Sequence, residues 1–204
     1  MRKLLRSVGI CLVLAASVWC GTLLAARETL NEGLIRFHVV ANSDSEEDQA
    51  VKLQVRDAVL ASLQEDLESI GDVEQARAYL QANLPKIQAI ANQALEAAGC
   101  DCEAVVTLCR EAFDTRYYDT FTLPAGVYEA LRITIGAGEG HNWWCVAFPT
   151  LCLSATSEGF EAEAAGAGFP DSLTGALAGD SEYEVRFFLL DALGKLENLF
   201  RSGI

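Results

Sequence analysis

From Ser7 to Ala26 the chain runs through twenty consecutive uncharged residues, most of them Leu, Val, Ala and Ile. A helix that is apolar on every side belongs either in a core or in a bilayer. At 1.5 Å per residue this stretch is about 30 Å long, the thickness of a membrane's hydrocarbon region. Arg2, Lys3 and Arg6 precede it with no acidic residue among them. A basic start before an apolar run is the form of an export signal, with the basic end held in the cytoplasm and the rest of the chain sent outward. Ala25 and Ala26 supply small residues at its exit, but Leu24 spoils an Ala-x-Ala cleavage site. Cys11 and Cys20 follow Ile10 and Trp19, which does not suit a lipidated cysteine. Residues 1–26 therefore read as a signal peptide or a membrane anchor, and the sequence leaves cleavage and retention both open.

The chain beyond Ala26 has the opposite character. Of the 15 basic and 29 acidic residues, only the three leading bases lie in the first 26 positions. An acidic body disfavours phosphate-backbone contacts, which excludes a nucleic-acid binder, and it keeps the body off anionic lipid. Membrane attachment then falls to the N-terminal segment alone. With 51% hydrophobic residues the chain has ample material for a core.

Periodicity predicts an α+β architecture in a single domain over residues 33–200. Gly33 to Ala41 alternates as a strand, with Ile35, Phe37 and Val39 on one face and Leu34, Arg36, His38 and Val40 on the other. Ser43 and Ser45 offer helix caps, and Val51, Val55, Val59, Leu63 and Leu67 then recur every four residues to about Ile70. Asp48, Lys52 and Arg56 form an i,i+4 charge ladder that reads as a solvated face, with a partner-binding face as the alternative. A second helical stretch from Asp72 is expected to break at Pro85 and restart from Asn83, completing a helical hairpin. Antiparallel strands are expected at 103–113, 120–123 and 127–135, with Asn142–Phe148 as the partner of 127–135. Ser154–Glu182, poor in large apolar residues, reads as a flexible acidic Ala/Gly-rich insertion, and 184–200 as a C-terminal amphipathic helix.

The distinctive stretch is Gly136-Ala-Gly-Glu-Gly-His-Asn-Trp-Trp-Cys-Val-Ala-Phe-Pro-Thr-Leu-Cys152. On a strand, Trp143 and Trp144 must point to opposite faces, so one of them is either under a second layer or available as a binding anchor. Asn142, Trp143 and Trp144 are the leading candidates for partner binding. Arg36 and His38, opposite Phe37 on their strand, are weaker ones. Cys145 and Cys152 enclose a short loop and form either a disulfide or two buried thiols. A cysteine hydrolase would use Cys145 with His141 or His38, yet no basic cluster or helix start surrounds Cys145 to lower its thiol pKa. Cys100, Cys102, Cys109, His141 and Cys145 lack any standard zinc spacing, and Gly136-x-Gly-x-Gly140 lacks the lysine of a phosphate loop. No metal or cofactor is expected.

Two motifs resemble one family. Leu34-Ile-Arg-Phe-His-Val-Val-Ala-Asn-Ser-Asp-Ser45 with Asp48, Gln49, Lys52 and Val55–Val59 resembles the opening of stage II sporulation protein R. Leu123-Pro-Ala-Gly-x-Tyr-Glu-Ala-Leu-Arg-Ile-x-Ile-Gly136 and the Asn142-Trp-Trp-Cys-Val146 run are similar to its second signature, and Phe187-Phe-Leu-Leu190 to its close. The resemblance implies a signalling protein of endospore formation rather than an enzyme. Such a protein is exported from the forespore to the space between forespore and mother cell. Its partner is a membrane-embedded aspartic protease of the mother-cell membrane, which then processes pro-sigma-E. Set against this are the hydrolase reading and a purely structural membrane-anchored module.

Overall fold

Strand β1 (Ile35–Val40) is buried along its whole length, on both faces. A strand apolar on both sides is best placed in the middle of a sheet with a layer over each face, and that is where β1 sits. The computed structural model describes residues 2–150 and 157–202. Its main sheet has the order β2-β5-β1-β6, with β2 Ala104–Phe113, β5 Gly126–Ile135 and β6 Asn142–Phe148. Strand β5 runs antiparallel to β2 and parallel to β1, and β6 runs antiparallel to β1. β3 (Arg116–Tyr117) and β4 (Thr122–Leu123) make a separate small hairpin.

The α+β class and the strand positions agree with the sequence reading, but the pairing differs in one respect. β6 is not the neighbour of β5. β1 lies between them, and the loop from Gly136 to His141 crosses over its end. The reason is burial: β6 is only half-buried over its first three residues, whereas β1 has no face that tolerates water.

One face of the sheet is covered by helices α2 (Glu46–Glu68) and α3 (Val73–Ala97). Ser45 caps α2 by accepting the Asp48 amide, and the stripe Val51, Val55, Val59, Leu63, Leu67 is buried against Phe37, Val39 and Leu131. Burying a Val or Leu side chain contributes roughly 1.5–3 kcal/mol, so this stripe alone fixes the rotation of α2. The break expected at Pro85 does not occur, and α3 runs straight through it. Ala76 and Leu80 before Pro85, and Ile87, Ala91 and Leu95 after it, are all buried on one face. Continuous packing outweighs the roughly 3 kcal/mol that an interior proline costs a helix.

The opposite face is covered by helix α1 (Arg2–Gly33), α4 (Ser157–Gly166), α5 (Asp171–Ala178) and α6 (Glu184–Ser202). Residues 157–178 are thus not a structureless insertion. Phe160, Ala164, Phe169, Leu173 and Leu177 are buried against Leu30, Val146 and Tyr128 in a second core. These anchors are spaced widely among Ala, Gly and Glu, which is why composition hid them. The last third of α1 joins the same core through Ala26 and Leu30, while its first part projects as an exposed apolar rod. The helix from Arg6 to Gly33 is long and apolar enough to cross a membrane.

Asp191 of α6 fastens the second layer to the sheet. Its Oδ1 accepts the Ala125 amide at 2.8 Å and the Thr115 hydroxyl, and its Oδ2 pairs with Lys195 at 2.7 Å. Burial alone would push this carboxyl's pKa up, but those partners together hold it below the ordinary Asp value. A carboxylate depressed in the folded state stabilises above its unfolded pKa of about 3.9 and loses that contribution as pH falls through the folded value. Asp191→Asn should therefore cost about 1–3 kcal/mol at pH 7 and flatten the acid limb below pH 4. Urea unfolding of the detergent-solubilised chain at pH 7 and pH 3 checks both.

Candidate functional site

The parallel pairing of β1 with β5 brings the ends of both strands to the same edge of the molecule. The turn Ala41–Ser45 and the loop Gly136–His141 meet there. Asn42 is the centre of the junction. Its Oδ1 accepts the Ala137 amide at 3.0 Å, its Nδ2 donates to Asp48 at 3.0 Å, and its carbonyl accepts the Glu139 amide at 3.2 Å. The Gly140 amide donates to the Ala41 carbonyl at 3.0 Å. Asp44 accepts the His141 amide at 2.6 Å and also pairs with the His141 ring. Those bonds from His141 hold the Asp44 carboxyl below its ordinary pKa, and the Ser43 hydroxyl and Asn42 amide do the same for Asp48.

The charge ladder on α2 is part of this junction and not a solvated face. Lys52 is buried, and its ammonium donates to the His141 carbonyl at 2.9 Å and to Gln49 at 2.5 Å. Burial pushes its pKa down. One turn on, the Arg56 guanidinium lies 4.9 Å from the centre of the Trp143 ring. From sequence, Lys52 and Arg56 read as solvent-facing because i,i+4 spacing looks the same whether a loop covers it or not. The signal present is the position of both residues inside the first of the two motifs.

Strand alternation divides the two tryptophans as expected. Trp143 pairs with Val39 and meets Phe37 edge-on with ring centres 5.8 Å apart, on the α2/α3 side. Trp144 pairs with His38 and stacks on it at 4.7 Å, on the other side. Both indoles are half-buried, and each has an arginine over it: Arg56 over Trp143 and Arg116 at 4.4 Å over Trp144. Asn142 is also half-buried, at the start of this outer strand.

Arg36 and His38 are not surface residues. They are 0% and 2% exposed, because Phe113, Tyr128, Trp144 and Tyr118 of the small hairpin close over the face that alternation assigned them. The Arg36 guanidinium packs over Phe113 at 4.2 Å and Tyr128 at 5.3 Å and donates to the Tyr118 hydroxyl at 2.8 Å. His38 Nε2 lies 3.3 Å from Glu111. Burial alone would raise the Glu111 pKa, but the His38 and Cys109 contacts and the charge of Arg132 hold it below the ordinary value. In this conformation His38 supports Trp144 from within, Arg36 packs beneath Phe113 beside it, and neither presents itself to a partner.

The cysteine-hydrolase constellation is not assembled. Cys145 pairs with Phe37 and so points to the side opposite His38, while the exposed His141 ring is taken up by Asp44. Cys145 is buried and disulfide-bonded; Cys152 lies outside the described residues. Among the described residues no three His, Cys, Asp or Glu side chains converge as a metal site.

The glycines of the loop answer to this packing. A Cβ on Gly140 would stand 2.2 Å from the Ser43 carbonyl oxygen, and Gly136 has φ +55°, where only glycine is at ease. Gly140→Ala should destabilise by about 1–3 kcal/mol and loosen the junction. Gly71→Ala, with nothing within 4 Å of the added carbon, should stay within about 0.5 kcal/mol of the parent. Paired thermal unfolding scans check this.

The junction lies within the part of the chain that known proteins share. The family model described as stage II sporulation protein R matches residues 31–158. Stage II sporulation protein R of Bacillus subtilis (strain 168) is 42% identical over 125 residues, which is 61% of this chain and 56% of the relative. The match thus covers little more than half the length of that relative. No solved structure matches. With the family match extending over β1, α2, α3, β2, β5 and β6 and both interlocked motifs, the chain belongs to the stage II sporulation protein R family.

Proposed function

We propose that this chain is an exported sporulation signal. In this reading it acts from the space between forespore and mother cell on a membrane-embedded aspartic protease, which then removes the pro-sequence of pro-sigma-E. Family membership supports the sporulation role, and the apolar α1 rod is compatible with export. The observation that carries the contact is the Trp143 face, where a half-buried indole, the Arg56 guanidinium and the exposed His141 ring share one end of an outer strand. Half-buried Trp with Arg beside it is the composition of an interface anchor. The second tryptophan has a supporting role, since Trp144 is clasped by His38, Phe113 and Arg116. We further propose that α1 is retained as an anchor, because a cut after Ala26 would remove Leu23 and Ala26, both buried, from the body.

Trp143→Ala separates contact from packing. An interface tryptophan contributes at least ~2 kcal/mol, about thirtyfold in affinity. The variant should be exported and as protease-resistant as the parent, yet process pro-sigma-E poorly in spore-forming cells that lack their own signal. Trp144→Ala should lower protease resistance as well. If Trp143→Ala is folded and signals normally, the contact reading is wrong.

Export permits oxidation, and we propose Cys152 as the partner of Cys145. A loop of this size contributes roughly 2–3 kcal/mol in the chain-entropy model. Thiol labelling of the exported, unfolded protein should modify both residues only after reduction; labelling of both without reductant rules the bridge out.

A further inference from the structure

Helix α6 leaves large apolar side chains in solvent. Phe188, Leu196 and Phe200 are 68%, 50% and 71% exposed, while Leu190 and Asp191 on its inner side are buried. The end of α6 can be located against α1 from three contacts. Gly194 lies against the Ala125 carbonyl and the Gly126 amide, and Asn31 of α1 reaches the same Gly126. One turn further, Arg27 of α1 pairs with Glu197. Residue numbers therefore rise along α6 as they fall along α1, and the next turn of α6, at Phe200, comes level with α1 near Leu23.

That level is special. Leu23 is 4% exposed although its neighbour Leu24 is 58% exposed, so the body still covers one side of α1 four residues inside the uncharged run. Filling about 30 Å of hydrocarbon takes about 20 helical residues, the length of the uncharged run from Ser7 to Ala26. The boundary of the bilayer then falls at Arg27, the first charge, and the body's edge at Leu23 and Phe200 cannot stand clear of it.

We propose that the C-terminal end of α6, through Leu196 and Phe200, is seated at the headgroup–acyl boundary of the bilayer that α1 enters. This rests on α1 being a membrane anchor. Exposed Phe and Leu gain by leaving water there. The domain would then be held at two points, so that it cannot swing freely about α1, with its orientation to the membrane fixed.

The test uses the full chain in phosphatidylcholine–phosphatidylglycerol vesicles whose acyl chains are brominated near the headgroup. Quenching at position 200 is the difference between Phe200→Trp and the parent, and quenching at Trp19, within the span, is the difference between the parent and Trp19→Phe. Quenching at 200 at least half that at Trp19 is the expected result. Quenching at Trp19 with none at 200 overturns the proposal and leaves the anchor intact. Absence of quenching at both overturns the anchor and the proposal with it. Emission at 200 that is unquenched but shifts with protein-to-lipid ratio assigns the face to a second copy, which also overturns it. Leu196→Trp, read in the same way, decides the case if Phe200→Trp fails to fold.

Discussion

Everything in this molecule is organised by the burial of β1 on both faces. Because Ile35, Phe37 and Val39 need one apolar layer and Leu34, Arg36 and His38 need another cover, β1 takes the centre of the sheet. Its parallel pairing to β5 is a consequence, with α2, α3 and β2 lying between the two strands in sequence. The same pairing delivers the turn after β1 and the loop after β5 to one place, where Asn42, Asp44, Asp48 and Lys52 tie them together. The two motifs shared with the family are distant in sequence and form a single piece of structure.

The second consequence is electrostatic. A cation at Arg36 and an imidazole at His38 are carried into the interior by a strand that has no surface face. Aromatic rings, a tyrosine hydroxyl and Glu111 receive them in place of water. Burying charge is costly unless it is paired or stacked, and this cluster rigidifies the underside of Trp144. The tryptophan on the other face, under Arg56, has a simpler environment, and for that reason it is the better candidate for a contact surface.

Much of this was legible from local periodicity. The two-residue alternation of 34–41 and 127–135 and the four-residue stripe of α2 identify their elements and core faces, since a buried face needs a regular spacing. Strand order was not legible, because pairing partners are chosen by long-range burial that no window records. Nor was the continuity of α3 through Pro85, where packing on both sides outweighs local preference. The helices at 157–178 were hidden by small residues between sparse anchors such as Phe160 and Leu173. In the candidate site, alternation correctly separated Trp143 from Trp144. It also placed Arg36 and His38 correctly opposite Phe37, but not in the interior, because nothing in their own strand reveals that Phe113, Tyr118 and Tyr128 will close over them.

The most direct measurement of the proposed role is made in spore-forming cells that lack their own stage II sporulation protein R. The full chain, expressed only in the forespore, is followed by immunoblot for pro-sigma-E cleavage in the mother cell. Cleavage restored by the parent, and abolished when the chain is confined to the forespore cytoplasm by removing residues 2–22, is the predicted result. A chain that is exported and protease-resistant yet leaves pro-sigma-E intact would contradict it.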